Sequence, residues 1–549
     1  MTSAARRLST SPLGPGAGRG SRPIDRRLVL RGALGAAFVI PVLSACSGLG
    51  GGQGAKADNT LRVIAGSEIK DLEPILEEMV AETGCRLDIT YQGTLEGTDA
   101  LVANGSGDFD AAWFPSNYYL SLFDEAADLI DQENSIMSSP VVLGLQADAA
   151  GRLGWSADAP PSWDDVVSAV NAGDLTFGMT SPVSSNSGFA TLLAAATALS
   201  GTGTALTLDD IDAASERLSE LSKGQELAAG SSGWLAERFA GDPTVVDGIF
   251  NYESVLSSLD IGQPLVAVAP SDGVVTADYP LTLFSGASEE TAEAYKTVVE
   301  HLTSDEVQKR IATETHRRTS AGGPPSAPMT FEVPYPATLN VVQELLRSWF
   351  ADAKKPSTMY FHIDTSGSMG EENRMEELRV ALGVLSGRSA GSETERLLAL
   401  QPRETLTLVE FAAAEKSDFT ADLSDDDNAD AARDELQQYI DSLMPEGGTA
   451  IYDTLRNTLM RAAEDAREET ITSVVLFSDG ENTDGLYTLD TFLNWYAMEA
   501  AVSEIPVFTV AFGEADPEEL KKLAEKTGGR MFNGSADLTT AFREIRGYL

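Results

Sequence analysis

"YFHIDTSGSMG", residues 360–370, ends an apolar run at one aspartate and then sets two serines two positions apart. A short apolar run closed by turn-forming residues is the pattern of a buried strand. At its carboxyl end Asp364, Ser366 and Ser368 bring three oxygen groups to one small volume, an arrangement suited to a hard cation. The surrounding sequence repeats the same grammar. Strand patterns at "ETLTLVEFA" (404–412), "ITSVVLFSDG" (471–480) and "IPVFTVAFG" (505–513) alternate with helical patterns at "MEELRVALGVL", 429–444, 450–467 and near 489–502. Such regular alternation predicts a doubly wound sheet with helices on both faces, and these sheets bind ligands beyond the carboxyl ends of their strands.

Taken singly, the polar stretches at those ends have housekeeping explanations. Ser368 with Glu371 three residues on fits a capping box, Thr449 in "EGGTAIYDTL" fits a helix N-cap, and "SDGENTDG" (478–485) fits turn chemistry. Together and in this order they resemble the von Willebrand factor A domain over about residues 356–549. The family's metal-ion-dependent adhesion site has the pattern Asp-x-Ser-x-Ser, then a Thr, then an Asp, on three loops; Asp364, Ser366, Ser368, Thr449 and Asp479 match all five positions. The resemblance implies a Rossmann-like domain that holds Mg²⁺ or Mn²⁺, with the hydroxyls as direct ligands. It also implies a coordination position left open for an acidic residue of a protein partner. Asp484 matches no family position and reads as part of a turn. His362, inside the apolar run, reads as a packing residue, and Asp364→Ala, Asp479→Ala and Ser366→Ala are expected to spare the fold because these side chains lie at loop ends.

Ahead of this domain, "LRVIAGSE" (61–68), a helical stretch at 69–84, "RLDITYQGT" (86–94) and "FDAAWFPS" (109–116) again alternate strand and helix. The chain leaves this unit at "SSPVVLGL" (138–145) and returns at "QPLVAVAPSDG" (263–273), so that one lobe is inserted in another. Order and local phrases resemble the type II periplasmic solute-binding proteins over about residues 60–320. The overall expectation is therefore an α/β chain, a two-lobed type II solute-binding fold followed by a doubly wound domain. The resemblance points to loop hydroxyls and neighbours as candidates for a small solute: Ser67, Thr94, Ser116, Ser139, Ser181, Ser187 and Tyr252, with Asp272 in the returning hinge. Lys and Arg are almost absent from these loops, whereas Glu68, Glu96, Glu253 and Asp272 are present. Neutral donors would have to hold an oxyanion, and a cationic or neutral solute is equally open.

Between the halves, residues 321–355 begin with a turn-rich break and continue as a helix with an apolar stripe at 339, 342, 345, 346, 349 and 350, a connector packed on a neighbour. At the other end of the chain seven arginines precede "GALGAAFVIPVLSAC", too short and too rich in Gly and Ala to span a bilayer. Residues 1–45 read as a signal peptide. "LSAC" (43–46) resembles the lipobox of bacterial lipoproteins, which would make Cys46 the lipidated first residue, and Arg26-Arg27 resembles a twin-arginine export signal. Residues 46–59 then form a flexible tether of at most about 40 Å. Only one further cysteine exists, Cys85, so the fold rests on its cores rather than on disulfides.

A formal charge of -45, from 39 basic and 84 acidic residues, argues against a nucleic-acid surface. With only three histidines in the chain, an enzyme is the weaker reading. The expectation is a binding protein held on the extracytoplasmic face of the cell membrane by its lipid, with a metal-dependent protein partner and a small solute. A solute receptor for an ABC transporter is the alternative.

Overall fold

The computed structural model describes residues 59–322, 331–387, 392–423, 429–467, 469–535 and 538–548. The leader and Cys46 lie outside the described residues. Residues 56–549 make up one compact unit.

Its first sheet has the spatial order Arg86–Tyr91, Thr60–Ala65, Ala111–Trp113, Pro280–Phe284, Ile130–Ser135. The first three strands are parallel, and Pro280–Phe284 runs antiparallel to both of its neighbours. The second sheet is centred on Ser139–Gln146, whose eight residues are almost wholly buried, with Gly248–Tyr252, Phe177–Thr180 and Gln225–Ala229 to one side. Leu265–Val268 also pairs with Ser139–Gln146. The chain passes between the sheets twice, from Ser135 to Ser139 and from Ala277 to Pro280, which makes two lobes with one inserted in the other. The return therefore comes after Leu265–Val268, later than the sequence pattern places it. An apolar phrase marks a buried strand without naming the sheet it joins.

The stretch 69–84 is not one helix. A 3-10 turn over Ser67–Leu72 precedes the helix Glu73–Thr83, because Pro74 at the first turn lacks an N–H and starts a new helix. The connecting helix Leu339–Ser348 continues as a wider turn over Trp349–Ala353 and buries Val342, Leu345, Leu346, Trp349 and Phe350, as the apolar stripe requires.

The third sheet has the order Glu415–Asp422, Thr405–Phe411, Ser357–Asp364, Ile471–Ser478, Val507–Ala511, Met531–Asn533. All pairs are parallel except the hairpin edge Glu415–Asp422. Both faces are covered. Phe361 and Ile363 belong to the core on one side with Leu378 and Phe542, while Tyr360 faces Leu455 and Phe492 on the other. Each large side chain so buried contributes on the order of 2 kcal/mol relative to exposure. The edge strand is an addition to the sequence-based alternation. Its residues are mostly polar and exposed, and it is held by pairing with Thr405–Phe411 and by Phe419 stacked on Tyr439, so it carries almost no apolar signature.

The last residues return to the inserted lobe. The Tyr548 ring meets Trp234 edge-on at 4.8 Å and fills the space where a Cβ on Gly230 would be, 2.4 Å from its Cε2. Lys355 pairs with Glu226 at 2.9 Å across the same junction.

Candidate functional sites

In the third sheet the strand order reverses between Ser357–Asp364 and Ile471–Ser478, the first and fourth strands in sequence. Asp364 ends one and Asp479 follows the other, which sets both carboxylates at the crevice where doubly wound sheets hold ligands. Asp364 is fully buried. One of its oxygens accepts from the Ser366 N–H at 2.8 Å and the other from the Ser478 hydroxyl at 2.8 Å. Burial pushes its pKa up to about 6 against the pull of these bonds. From Ser366 a chain of oxygens runs on: Ser366 Oγ lies 3.1 Å from Ser368 Oγ, which donates to Asp479 Oδ1 at 2.9 Å.

The capping explanations fail. The helix after the first strand is Arg374–Gly383, its N-cap is Asn373 in the left-handed region, and no side chain caps it. Ser368 thus spends its hydroxyl on Asp479, across the sheet. Nor does Thr449 cap the helix Ile451–Asp465; Asn482 Oδ1 accepts from the Ile451 N–H at 2.8 Å instead. The Thr449 loop is fastened to both others. Gly367 N–H donates to Gly447 O at 2.9 Å, Thr449 N–H donates to Thr483 Oγ1 at 3.0 Å, and Thr449 O accepts from the Thr483 and Asp484 amides. Asp484 does more than turn the chain: its Oδ2 lies where a side chain on Gly448 would begin, 1.8 Å from such a Cβ, so a side chain there would have to displace the Asp484 carboxylate.

Sequence patterns miss one member of this site, Arg374. Its Nη1 donates to Asp479 Oδ2 at 2.9 Å, with side-chain exposures of 6% and 0%. Gly513, at φ 60°, leaves room for the pair, since a Cβ there would stand 2.9 Å from Arg374 Nε and 3.0 Å from Asp479 Cβ. One arginine among helix-forming residues carries no motif, so nothing in its spacing marks it. His362 has the packing role expected of it: buried, stacked on Phe411 at 4.1 Å, with its nitrogens on Thr454 and Thr458 and its pKa pushed down to about 3 by burial.

The donor set suits a small divalent cation: one carboxylate and two hydroxyls already linked in sequence, a second buried carboxylate behind them, and the Thr449 loop clasped alongside. Among the described residues no group of three or more His, Cys, Asp or Glu side chains occurs, so any metal here depends on hydroxyl oxygens. With the site in this state, the Arg374 guanidinium supplies the positive charge opposite Asp479.

The solute candidates divide. Tyr252 is fully buried, accepts from Asn186 Nδ2 at 3.2 Å and reaches Glu68 Oε1 at 3.5 Å, a contact between lobes. Ser67 opens the 3-10 turn that carries Glu68, and Thr94 opens the helix Thr94–Asn104 after Gly93, which touches Ser184 of the other lobe. Ser181 has a buried hydroxyl without a partner. Ser187 is used inside its lobe, bonded to Thr180 at 2.8 Å and Ser185 at 3.1 Å. Ser139 bonds Ser254 at 3.1 Å, and Asp272 accepts from the Trp163 N–H at 3.0 Å at the start of the helix Trp163–Asn171; both are engaged in holding elements together. Ser116 accepts from the Tyr118 N–H and borders a separate cavity of 360 Å³ beside Tyr335.

A family model of the von Willebrand factor type A domain matches residues 358–546, and one of the bacterial extracellular solute-binding proteins matches residues 61–314. No curated protein matches the chain. Solved structures similar to parts of it include the sulfate-binding protein SubI from Mycobacterium tuberculosis H37Rv. That protein is 16% identical at a TM-score of 0.38, over 50% of this chain and 93% of the other. A periplasmic thiamin binding protein is 15% identical at 0.41, over 54% and 97%. A von Willebrand factor type A protein from Catenulispora acidiphila is 18% identical at 0.27, over 36% of this chain and 43% of that one.

Proposed function

We propose, for a chain that joins a bacterial extracellular solute-binding domain to a C-terminal von Willebrand factor type A domain, a lipid-anchored extracytoplasmic binding protein with two sites. The C-terminal site takes Mg²⁺ or Mn²⁺ and through it an acidic residue of a protein partner; the two-lobed domain takes a small solute. The observation that carries the first part is Ser368. Its hydroxyl leaves the local helix uncapped and reaches across the sheet to Asp479, closing the oxygen series Asp364, Ser366, Ser368, Asp479 at the switch point.

Ser366, Ser368 and Thr449 would offer neutral oxygens, and Asp364 and Asp479 the charge. The ion supplies an electrophilic centre whose remaining coordination positions a carboxylate from outside can fill. Asp364, sheltered and held by Ser366 and Ser478, orients the Ser366 backbone; Arg374 holds Asp479 until a cation replaces it. These are binding roles. Among the described residues no helix is long and apolar enough to cross a membrane, and retention there is assigned to the lipid on Cys46.

Titration calorimetry of the full chain with MgCl₂ and MnCl₂ tests the site. Wild type is expected to bind one ion, Ser368→Ala to bind more weakly and Asp479→Asn not to bind. No binding by wild type, or equal binding by Asp479→Asn, refutes it; metal binding without a chelator-sensitive partner in a surface pull-down refutes the adhesion role alone.

A further inference from the structure

Glu68 stands at the switch point of the first sheet. It follows Thr60–Ala65, next in space to Ala111–Trp113, and its Oε2 folds back to within 2.2 Å of a Cβ placed on Gly66, which itself would lie 2.9 Å from Pro115. Facing it are groups from the carboxyl ends of the second sheet. Tyr252 ends Gly248–Tyr252 and reaches Glu68 Oε1, Asn186 is bonded to Tyr252, and Ser181 follows Phe177–Thr180 with its hydroxyl unpaired. Glu68 Oε2 is itself fully buried and meets no donor from another residue, the carboxylate's bonds being to its own backbone N–H and to Tyr252. A buried acceptor that meets no donor from its surround is a place for a donor supplied by a ligand.

The charge balance gives the sign of that donor. Arg317, fully buried, is the nearby cation, but its Nη1 bonds Asp71 Oδ2 at 2.6 Å and its Nη2 bonds the Glu68 carbonyl at 2.8 Å. Its Nε–H is unpaired, yet Asp71 already balances its charge. Glu68 is left without an ion-pair partner of its own, and burial pushes its pKa up against the pull of its own backbone N–H, Arg317 and Tyr252, so a cation placed beside it is what would hold it charged. An oxyanion would meet this carboxylate head-on. A hard metal ion wants several anionic oxygens, and the nearest second carboxylate, Asp71, is already held by Arg317. The remaining walls are aromatic: Tyr252 and Tyr279 have ring centroids 6.1 Å apart, and Arg317 already stacks a cation over Tyr279 at 5.1 Å.

We propose that the solute of this cleft is a small organic cation of the ammonium class, whose N–H groups bond the free oxygen of Glu68 beside Tyr252, and that free oxyanions are excluded. The proposal rests on the solute-binding reading of this domain and names the class of ligand. The bonds are those of a charge-assisted N–H···O pair, with no covalent step.

The full chain is titrated by calorimetry and thermal shift with ethanolamine, putrescine and cadaverine, and with sulfate and phosphate. Wild type is expected to bind at least one of the amines and neither anion, and Glu68→Gln to bind that amine at least about tenfold more weakly. Where Glu68→Gln does not fold, Glu68→Asp, which keeps the charge but withdraws it, is expected to show intermediate affinity. Equal amine binding by Glu68→Gln, or no amine binding by wild type, overturns the proposal. Sulfate or phosphate binding overturns the class while leaving the solute-binding reading intact. Silence of all five probes, with no lobe movement by small-angle scattering, overturns both.

Discussion

Asp479→Ala should destabilise the C-terminal domain even without metal, contrary to what its place at a loop end implies. Asp479 is wholly buried and Arg374 is 6% exposed at 2.9 Å, so removing the carboxylate strands a buried guanidinium. Breaking such a pair costs about 3–5 kcal/mol. Arg374 keeps a contact with Glu372 at 3.5 Å, but that carboxylate is 81% exposed and screened, which sets the expected loss near the lower end, about 3 kcal/mol. For a domain of this size that lowers the unfolding midpoint by roughly 6–12 °C. Arg374→Met together with Asp479→Ala removes both charges and should recover about half of the loss, because the stranded charge and not the missing contact dominates. Calorimetric scans of the full chain in a chelator and again in MgCl₂ separate the two roles of the aspartate. Wild type should gain stability from the ion and both variants should gain none. A midpoint for Asp479→Ala within about 1 °C of wild type in chelator, or strictly additive losses in the double variant, would refute the reasoning.

Other outcomes follow from the same kind of accounting. Glu404→Gln leaves Arg546 (3% exposed, 2.8 Å) and Lys354 (11% exposed, 3.4 Å) without their shared carboxylate, and should cost about 3 kcal/mol in urea unfolding; a loss under about 1 kcal/mol would contradict it. Glu68 has its folded pKa raised by burial, so the solute-free closed form is most stable at low pH and loses stability as pH rises from the ordinary carboxylate range through the raised folded value. Scattering should find the lobes opening over that rise in wild type and not in Glu68→Gln, and identical profiles would refute the assignment. Gly230→Ala drives a methyl into the Tyr548 ring and should cost about 1–3 kcal/mol while making the 230–240 segment more open to protease; an unchanged digestion pattern would count against the packing of the C terminus on the inserted lobe. Cys46→Ser should release the protein from membranes and abolish labelling by a fatty-acid probe, and continued retention would refute the anchor.

Local chemistry fixed much of this molecule in advance. Strands buried on both faces must be continuous apolar runs, so Ser357–Asp364, Ile471–Ser478 and Val507–Ala511 are legible from hydrophobicity alone, and the oxygens that end them stand out because they break those runs. The hairpin edge Glu415–Asp422 is not legible, since one face meets solvent and its partner is chosen by backbone pairing, which any side chain permits. The same division runs through the sites. Asp364, Ser366, Ser368, Thr449 and Asp479 announce themselves by motif and order. Which oxygens bond each other, and that Arg374 and not a helix cap answers Asp479, depends on loops far apart in sequence being brought within 3 Å. In the other half, hydroxyl-bearing loops supply candidates in excess. Only the folded surround separates Ser139, bonded to Ser254, and Asp272, bonded to the Trp163 N–H, from Glu68, whose Oε2 is buried without a donor from another residue, because burial and pairing are properties of a surround that the sequence assembles but does not display.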